Sequence, residues 1–226
     1  MKVVKPLTTE PLSIKAMPQD TLWWLPRHEE KLAEKDAMER VDLVFLGDSI
    51  IQAWEKEGAD VWNVYYRSRN ALNLGFNGDK TENVLWRLAH GEIDNIEPKL
   101  LVLLIGTNNS GHRMDKAEDT AVGIKEILSV LTQKLPTTNI LLLAIFPRSA
   151  KPTQKLRTLN NEVNQIIRTY ADDKKIFFLD INSVFLDENG RLTSNVMGDF
   201  LHPNANQYQF FAEAIESYIV KLMASD

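Results

Sequence analysis

Val41-Asp42-Leu43-Val44-Phe45-Leu46-Gly47-Asp48-Ser49 is an apolar run that stops abruptly on Gly-Asp-Ser. Val41 to Leu46 is short and nearly continuously apolar, the signature of a parallel strand buried on both faces. The glycine after it lets the chain turn sharply. Four further runs read the same way: Asn70 to Leu74, Leu100 to Ile105 (Leu-Leu-Val-Leu-Leu-Ile), Ile140 to Phe146 and Ile176 to Ile181.

Helical patterns fill the intervals. Ile50 to Lys56 reads as helix, and Lys80 to His90 sets Val84, Leu85 and Leu88 on one side. Ala117 to Leu135 carries Ile124, Ile127, Leu128 and Leu131 at helical spacing. A further helix is expected from about Thr153 to Tyr170, and a terminal one from Asn204 to Met223. Five strands alternating with helices predict an α/β fold, a parallel sheet covered on both faces through right-handed crossovers.

Residues 1–26 read as an irregular N-terminal arm. Pro6, Pro11, Pro18 and Pro26 block a long helix there, and Trp23-Trp24-Leu25 docks the arm on the body. Arg27 to about Arg40 reads as a surface helix, and residues 27–226 as a single domain without repeats or linkers.

The 226 residues, 44% of them hydrophobic and 25% charged, suit one soluble core. A net charge of -5 gives no electrostatic reason to expect nucleic acid or an anionic membrane surface. The absence of cysteine excludes disulfides, thiolate metal sites and a cysteine nucleophile. No stretch approaches the roughly 20 apolar residues of a membrane span. Met1 to Asp20 lacks the apolar core of a signal peptide, so a cytoplasmic location is the default expectation.

In open parallel sheets ligands sit outside the carboxyl ends of the strands. Ser49 follows the first strand, Gly78 the second and Asn108 the third, while Asp199 and His202 precede the last helix and can return to the same edge. A serine, a histidine and an aspartate are what is needed to make a hydroxyl nucleophilic at neutral pH. His202 can take a proton from a serine hydroxyl and return it to a leaving alcohol, and Asp199 can fix its tautomer. The backbone N–H groups of Ser49 and Gly78 and the side-chain amide of Asn108 are three candidate oxyanion donors.

Each residue also has a plainer reading. Ser49, Asp48 and Asp199 are good helix caps, Gly78 suits a simple turn, and Asn108 an Asx turn. Trp54, Trp62, Tyr65 and Tyr66 fit core or interface packing better than a sugar platform, and His112 and Arg113 read either as pocket lining or as exposed loop. The joint occurrence of Ser49, Gly78, Asn108 and His202 at successive strand ends favours one site.

The blocks Gly47-Asp48-Ser49, Gly78, Gly106-Thr107-Asn108-Asn109 and Asp199-Phe200-Leu201-His202 resemble the GDSL/SGNH hydrolases. Asn73 to Thr81, Val84-Leu85-Trp86-Arg87-Leu88, Gly91-Glu92, Pro147-Arg148 and Asn160, Val163 and Asn164 extend the resemblance. They point to the branch of platelet-activating-factor acetylhydrolase IB alpha-subunit-like esterases, over roughly residues 27 to 222.

That resemblance implies a flavodoxin-like three-layer α/β/α sandwich with a five-stranded parallel sheet, the SGNH hydrolase fold. It implies a serine esterase without metal or cofactor, acting on a small, short-chain and typically acetyl ester. Ser49 would be the nucleophile, His202 the general acid/base and Asp199 its orienter, with Ser49, Gly78 and Asn108 forming the oxyanion hole. Carbohydrate O-acetyl esters and platelet-activating-factor-like phospholipids are the two substrate classes implied, and a homodimer rests on the resemblance alone. Neither nucleic acid nor membrane insertion is expected. Asn77 departs from the branch, which usually has glycine there; its side chain would narrow the site or add a hydrogen bond.

Two other classes compete. A flavodoxin-like nucleotide or flavin module would want a phosphate-cradling loop after the first strand, which Gly47-Asp48-Ser49-Ile50-Ile51 does not supply. A catalytically silent scaffold would have no use for an intact Ser49, Asp199 and His202.

Overall fold

The computed structural model describes residues 10–224. Five strands, β1 (Leu43–Gly47), β2 (Ala71–Gly75), β3 (Leu100–Leu104), β4 (Asn139–Leu143) and β5 (Ile176–Leu179), form one sheet in the order β2-β1-β3-β4-β5. Every neighbouring pair is parallel. Among the described residues eight α-helices accompany it: α1 (Trp24–Ala37), α2 (Ser49–Gln52), α3 (Ala59–Tyr65), α4 (Thr81–Ala89), α5 (Thr107–Arg113), α6 (Ala117–Lys134), α7 (Lys155–Ile167) and α8 (Ala205–Met223). The expected α/β sandwich is the observed one.

Alternation along the strands divides the core in two. Val44, Leu46, Leu101, Leu103, Ile140 and Leu142 face a cluster holding Val84 and Leu88 of α4, Ile124 and Leu131 of α6 and Val163 of α7. Leu43, Phe45, Val102, Leu104, Leu141 and Leu143 face Ile51, Trp54, Tyr66 and, from α8, Phe211, Ile215 and Ile219. The aromatic quartet belongs to this second layer. Trp54 and Tyr66 are fully buried, while the half-buried Trp62 and Tyr65 pack against the same layer, Trp62 5.2 Å from Phe45, so these rings are used mainly in core packing.

The sheet reverses its direction of growth between β1 and β3, and Gly47 pairs with Gly75 on one side and Leu104 on the other. The three strands therefore end level, and the loops after them lie side by side at the topological switch point. Gly47 is required there by space: a Cβ would sit 2.2 Å from Leu104 O.

The N-terminal segment differs from its sequence reading. Pro26 does not block a helix; it lies in the first turn of α1, where an amide hydrogen has no intrahelical acceptor to lose. Pro6 lies outside the described residues. Residues 10–23 run as a strap along the body: Thr81 Oγ1 donates to Ser13 O, Met17 N–H to Glu82 O and Asn83 Nδ2 to Met17 O. Trp24 is fully buried and donates Nε1–H to Asp79 Oδ1 at 2.7 Å.

Candidate active site

Ser49 is the first residue of α2, so its amide hydrogen has no acceptor inside the helix. The cap is Asp48, whose Oδ1 accepts from Ile50 N–H at 3.0 Å. The two cap readings thus separate: Asp48 caps, and Ser49 is left free to point outward. Its Oγ lies 2.8 Å from His202 Nε2.

His202 reaches it from the loop ahead of α8. Asp199 Oδ2 is 2.6 Å from His202 Nδ1, while Asp199 Oδ1 accepts the N–H groups of Leu201 (3.0 Å) and His202 (2.8 Å). Between them Phe200 adopts the left-handed region, φ 57°, which folds the loop tightly enough for a side chain to reach the ring three residues on. Phe200 O accepts from Ser149 N–H at 2.9 Å, tying the loop to the chain after β4. Burial works upward on the Asp199 carboxyl, but the amides and imidazole of this loop outweigh it and hold the group below its ordinary range. With the Asp199 and His202 side chains 55% and 38% exposed, the pair opens to solvent.

Gly78 and Asn108 complete the edge. Gly78 has φ +76°, in a turn closed by Asp79 N–H donating to Phe76 O. One amide hydrogen of Asn108 goes to Asp79 O at 3.0 Å, leaving the other for a ligand. Asn109 secures the loop junction, accepting from Thr81 N–H and donating to Thr81 Oγ1. The structure therefore brings together Ser49, Asp199 and His202 directly, and links Gly78 and Asn108 to each other through Asp79.

Asp79 anchors a buried charge cluster beneath this turn. Arg87, fully buried, donates Nε–H to Asp79 Oδ2 at 2.9 Å and pairs with Glu92 through Nη1. Its other hydrogens reach Leu74 O and Gly47 O at 3.3 Å, and its plane lies 4.0 Å over the Phe76 ring. One guanidinium thus braces the ends of β1 and β2. Two carboxylates share it where water has no access, and burial pushes both upward, Glu92 to about 7. Burial likewise raises Asp48 to about 7, the Ile50 amide opposing it.

A cleft of about 450 Å³ opens beside Ser49 and His202, lined also by Gln52, Lys56, Glu57, Asn77 and Asn204. Asn77 lines the cleft, and its hydrogen bond to Gln52 Oε1 at 2.7 Å comes from the backbone N–H, which a glycine there would also supply. His112 is exposed, and Arg113 is engaged with Glu82 and Asp115. Asn160 and Asn164 of α7 instead hold the exit of β4, Asn164 bonding both N–H and O of Ile145.

The sequence reading missed Gln19 and Gln52, which grip the Gly78 turn from two sides. Neither sits at a diagnostic spacing, so no signal pointed to them. Among the described residues no group of three or more His, Asp or Glu side chains is placed to hold a metal, and no helix is long and apolar enough to cross a membrane.

The model of the GDSL-like lipase/acylhydrolase family matches residues 45–210. The human platelet-activating factor acetylhydrolase IB subunit alpha1 is 33% identical over 204 residues, covering 90% of this chain and 85% of that protein. The rat alpha2 subunit is 33% identical over 202 residues, covering 88% and 85%. Among solved structures, a GDSL-like lipase from Bacteroides thetaiotaomicron superposes with a TM-score of 0.72 at 20% identity, covering 86% of this chain and 97% of its own. An acetylxylan esterase from Geobacillus stearothermophilus gives 0.63 at 14% identity, covering 84% and 98%.

Proposed function

Starting from a chain that belongs to the GDSL-like lipase/acylhydrolase family and is an ester hydrolase, we propose that it removes short acyl groups, acetyl foremost, from small polar alcohols. The observation that carries this reading is the continuous hydrogen-bond chain Ser49–His202–Asp199, 2.8 and 2.6 Å long.

Ser49 Oγ attacks the ester carbonyl carbon as His202 Nε2 takes its proton. The carbonyl oxygen becomes an oxyanion held by the N–H groups of Ser49 and Gly78 and the free amide hydrogen of Asn108. Collapse breaks the bond to the alcohol oxygen, which leaves with the proton from His202. Water, deprotonated by the same nitrogen, then attacks the acyl-Ser49 carbonyl, and collapse returns Ser49 and a carboxylic acid. Asp199 keeps Nδ1 protonated and supports the imidazolium formed in each half.

The cleft supports a hydroxyl-rich alcohol. Gln52, Glu57 and Asn77 line it with polar groups, and the volume suits a small ligand better than one carrying a long alkyl chain. An acetylated carbohydrate fits that description. The second reading, an acetyl phospholipid, draws on the 33% identity to the acetylhydrolase subunits.

The test is hydrolysis of p-nitrophenyl acetate, butyrate and octanoate by wild type and Ser49→Ala. Rates falling with acyl length and absent in the variant support the proposal; equal rates in the two proteins would sink it. Acetylated xylo-oligosaccharide against an acetyl glycerophospholipid then separates the two alcohol classes.

A further inference from the structure

The turn that presents Gly78 has one weak degree of freedom. Phe76 O accepts from Asp79 N–H at 3.1 Å, so Asn77 and Gly78 are the two central residues of a β-turn. Gly78 at φ +76° fits a type II turn. Type I and type II turns differ by rotation of the central peptide through about 180°. Here that is the Asn77–Gly78 peptide. Because the unit is planar and trans, the direction of Asn77 O dictates the opposite direction of Gly78 N–H. Glycine, having no Cβ, tolerates both settings. Something outside the turn must therefore choose which way the oxyanion donor points.

Gln19 is placed to choose. Its Nε2 donates to Asn77 O at 2.9 Å and to Asp79 Oδ1 at 2.6 Å, bracketing Gly78. Its amide is also what a Cβ at Gly78 would meet, at 3.5 Å from Oε1. The residue is held there by the strap, through the Met17 bonds to Glu82 and Asn83 on one side and the buried Trp24 on the other. Donation to Asn77 O also polarises the peptide, making Gly78 N–H a better donor toward an oxyanion. Gln52 fixes the neighbouring Asn77 N–H but has no hold on the central peptide.

We infer that Gln19 is a positioning residue for ester hydrolysis: it locks the Asn77–Gly78 peptide so that Gly78 N–H faces the oxyanion. The inference rests on the Ser49, Gly78 and Asn108 reading above, and it gives the N-terminal strap, which precedes the matched residues 45–210, a part in the chemistry. An interaction felt mainly in the transition state lowers kcat and leaves KM nearly alone.

The experiment uses the full chain with Gln19→Met, which keeps length but cannot donate, and Gln19→Ala. Steady-state kinetics on p-nitrophenyl acetate are normalised to titrated active sites and set beside thermal midpoints. The expected result is kcat down by about tenfold, KM within about twofold and an unchanged midpoint. Wild-type kcat in Gln19→Met, with Ser49→Ala inactive, overturns the inference and leaves the esterase reading standing. A loss of kcat that tracks a lowered midpoint assigns Gln19 to stability and overturns it too. Full activity in Ser49→Ala removes the premise and the inference together.

Discussion

Asp199→Asn isolates the contribution of the Asp199 carboxylate with little structural collateral. The two backbone bonds of the loop, from Leu201 and His202, both end on Oδ1, which asparagine keeps. Only Oδ2, the partner of His202 Nδ1 at 2.6 Å, becomes an NH₂ group. That group donates, so it selects the tautomer with hydrogen on Nε2, which cannot accept the Ser49 proton. Restoring the productive tautomer forfeits one hydrogen bond, about 1 kcal/mol. The imidazolium also loses its counter-charge. At about 4 Å that is about 1 kcal/mol in water and about 4 at an effective dielectric of 20. With side chains 38% and 55% exposed, the pair lies toward the aqueous end. The total is roughly 2–3 kcal/mol, a fall in kcat/KM of roughly 30- to 150-fold. Initial rates on p-nitrophenyl acetate measure it, with circular dichroism to verify the fold. A variant within about threefold of wild type would refute the role given to Asp199.

Arg87→Met should cost about 3–5 kcal/mol in urea unfolding, because it strands Asp79 and Glu92 in the core. The loss should be smaller at pH 5 than at pH 8, since Glu92 titrates near 7 and sheds its charge in acid; a loss below about 1 kcal/mol at both pH values would contradict the bracing described. Asp48 is raised from 3.8 to about 7, so folding favours its neutral form. That stabilisation is full below the unfolded value near 3.8 and is lost as pH rises through about 7. Asp48→Asn keeps the cap to Ile50 N–H but not the titration. Its stability relative to wild type should therefore climb between pH 5 and pH 8, by on the order of 2–4 kcal/mol. Parallel pH–stability curves for the two proteins would refute the assignment.

The sheet was legible because strands buried on both faces are written as continuous apolar runs, and β1, β3 and β4 are all of that kind. Ser49, Gly78, Asn108 and His202 were legible because each interrupts such a run or precedes the last helix. What could not be read was support acting at long sequence separation through ordinary residue types. Gln19 meets Asn77 58 positions away and Trp24 meets Asp79 55 away, and nothing local in either segment marks the pairing. Pro26 misled for the opposite reason. Proline breaks a helix only where an amide hydrogen is needed, and the first turn does not need it. Asp48 was readable as a helix cap, and its bond to Ile50 N–H is that cap; its full burial beside the proposed nucleophile was not written in the sequence.

His202 sets Ser49 apart as the reactive hydroxyl among the described residues. Incubation with diethyl p-nitrophenyl phosphate followed by intact-mass and peptide mapping tests it most directly. The expected outcome is a single diethylphosphoryl adduct on the peptide holding Ser49, forming in step with loss of esterase activity, much slower in His202→Ala and absent in Ser49→Ala. An adduct on another residue, or labelling that proceeds unchanged in Ser49→Ala, would contradict it.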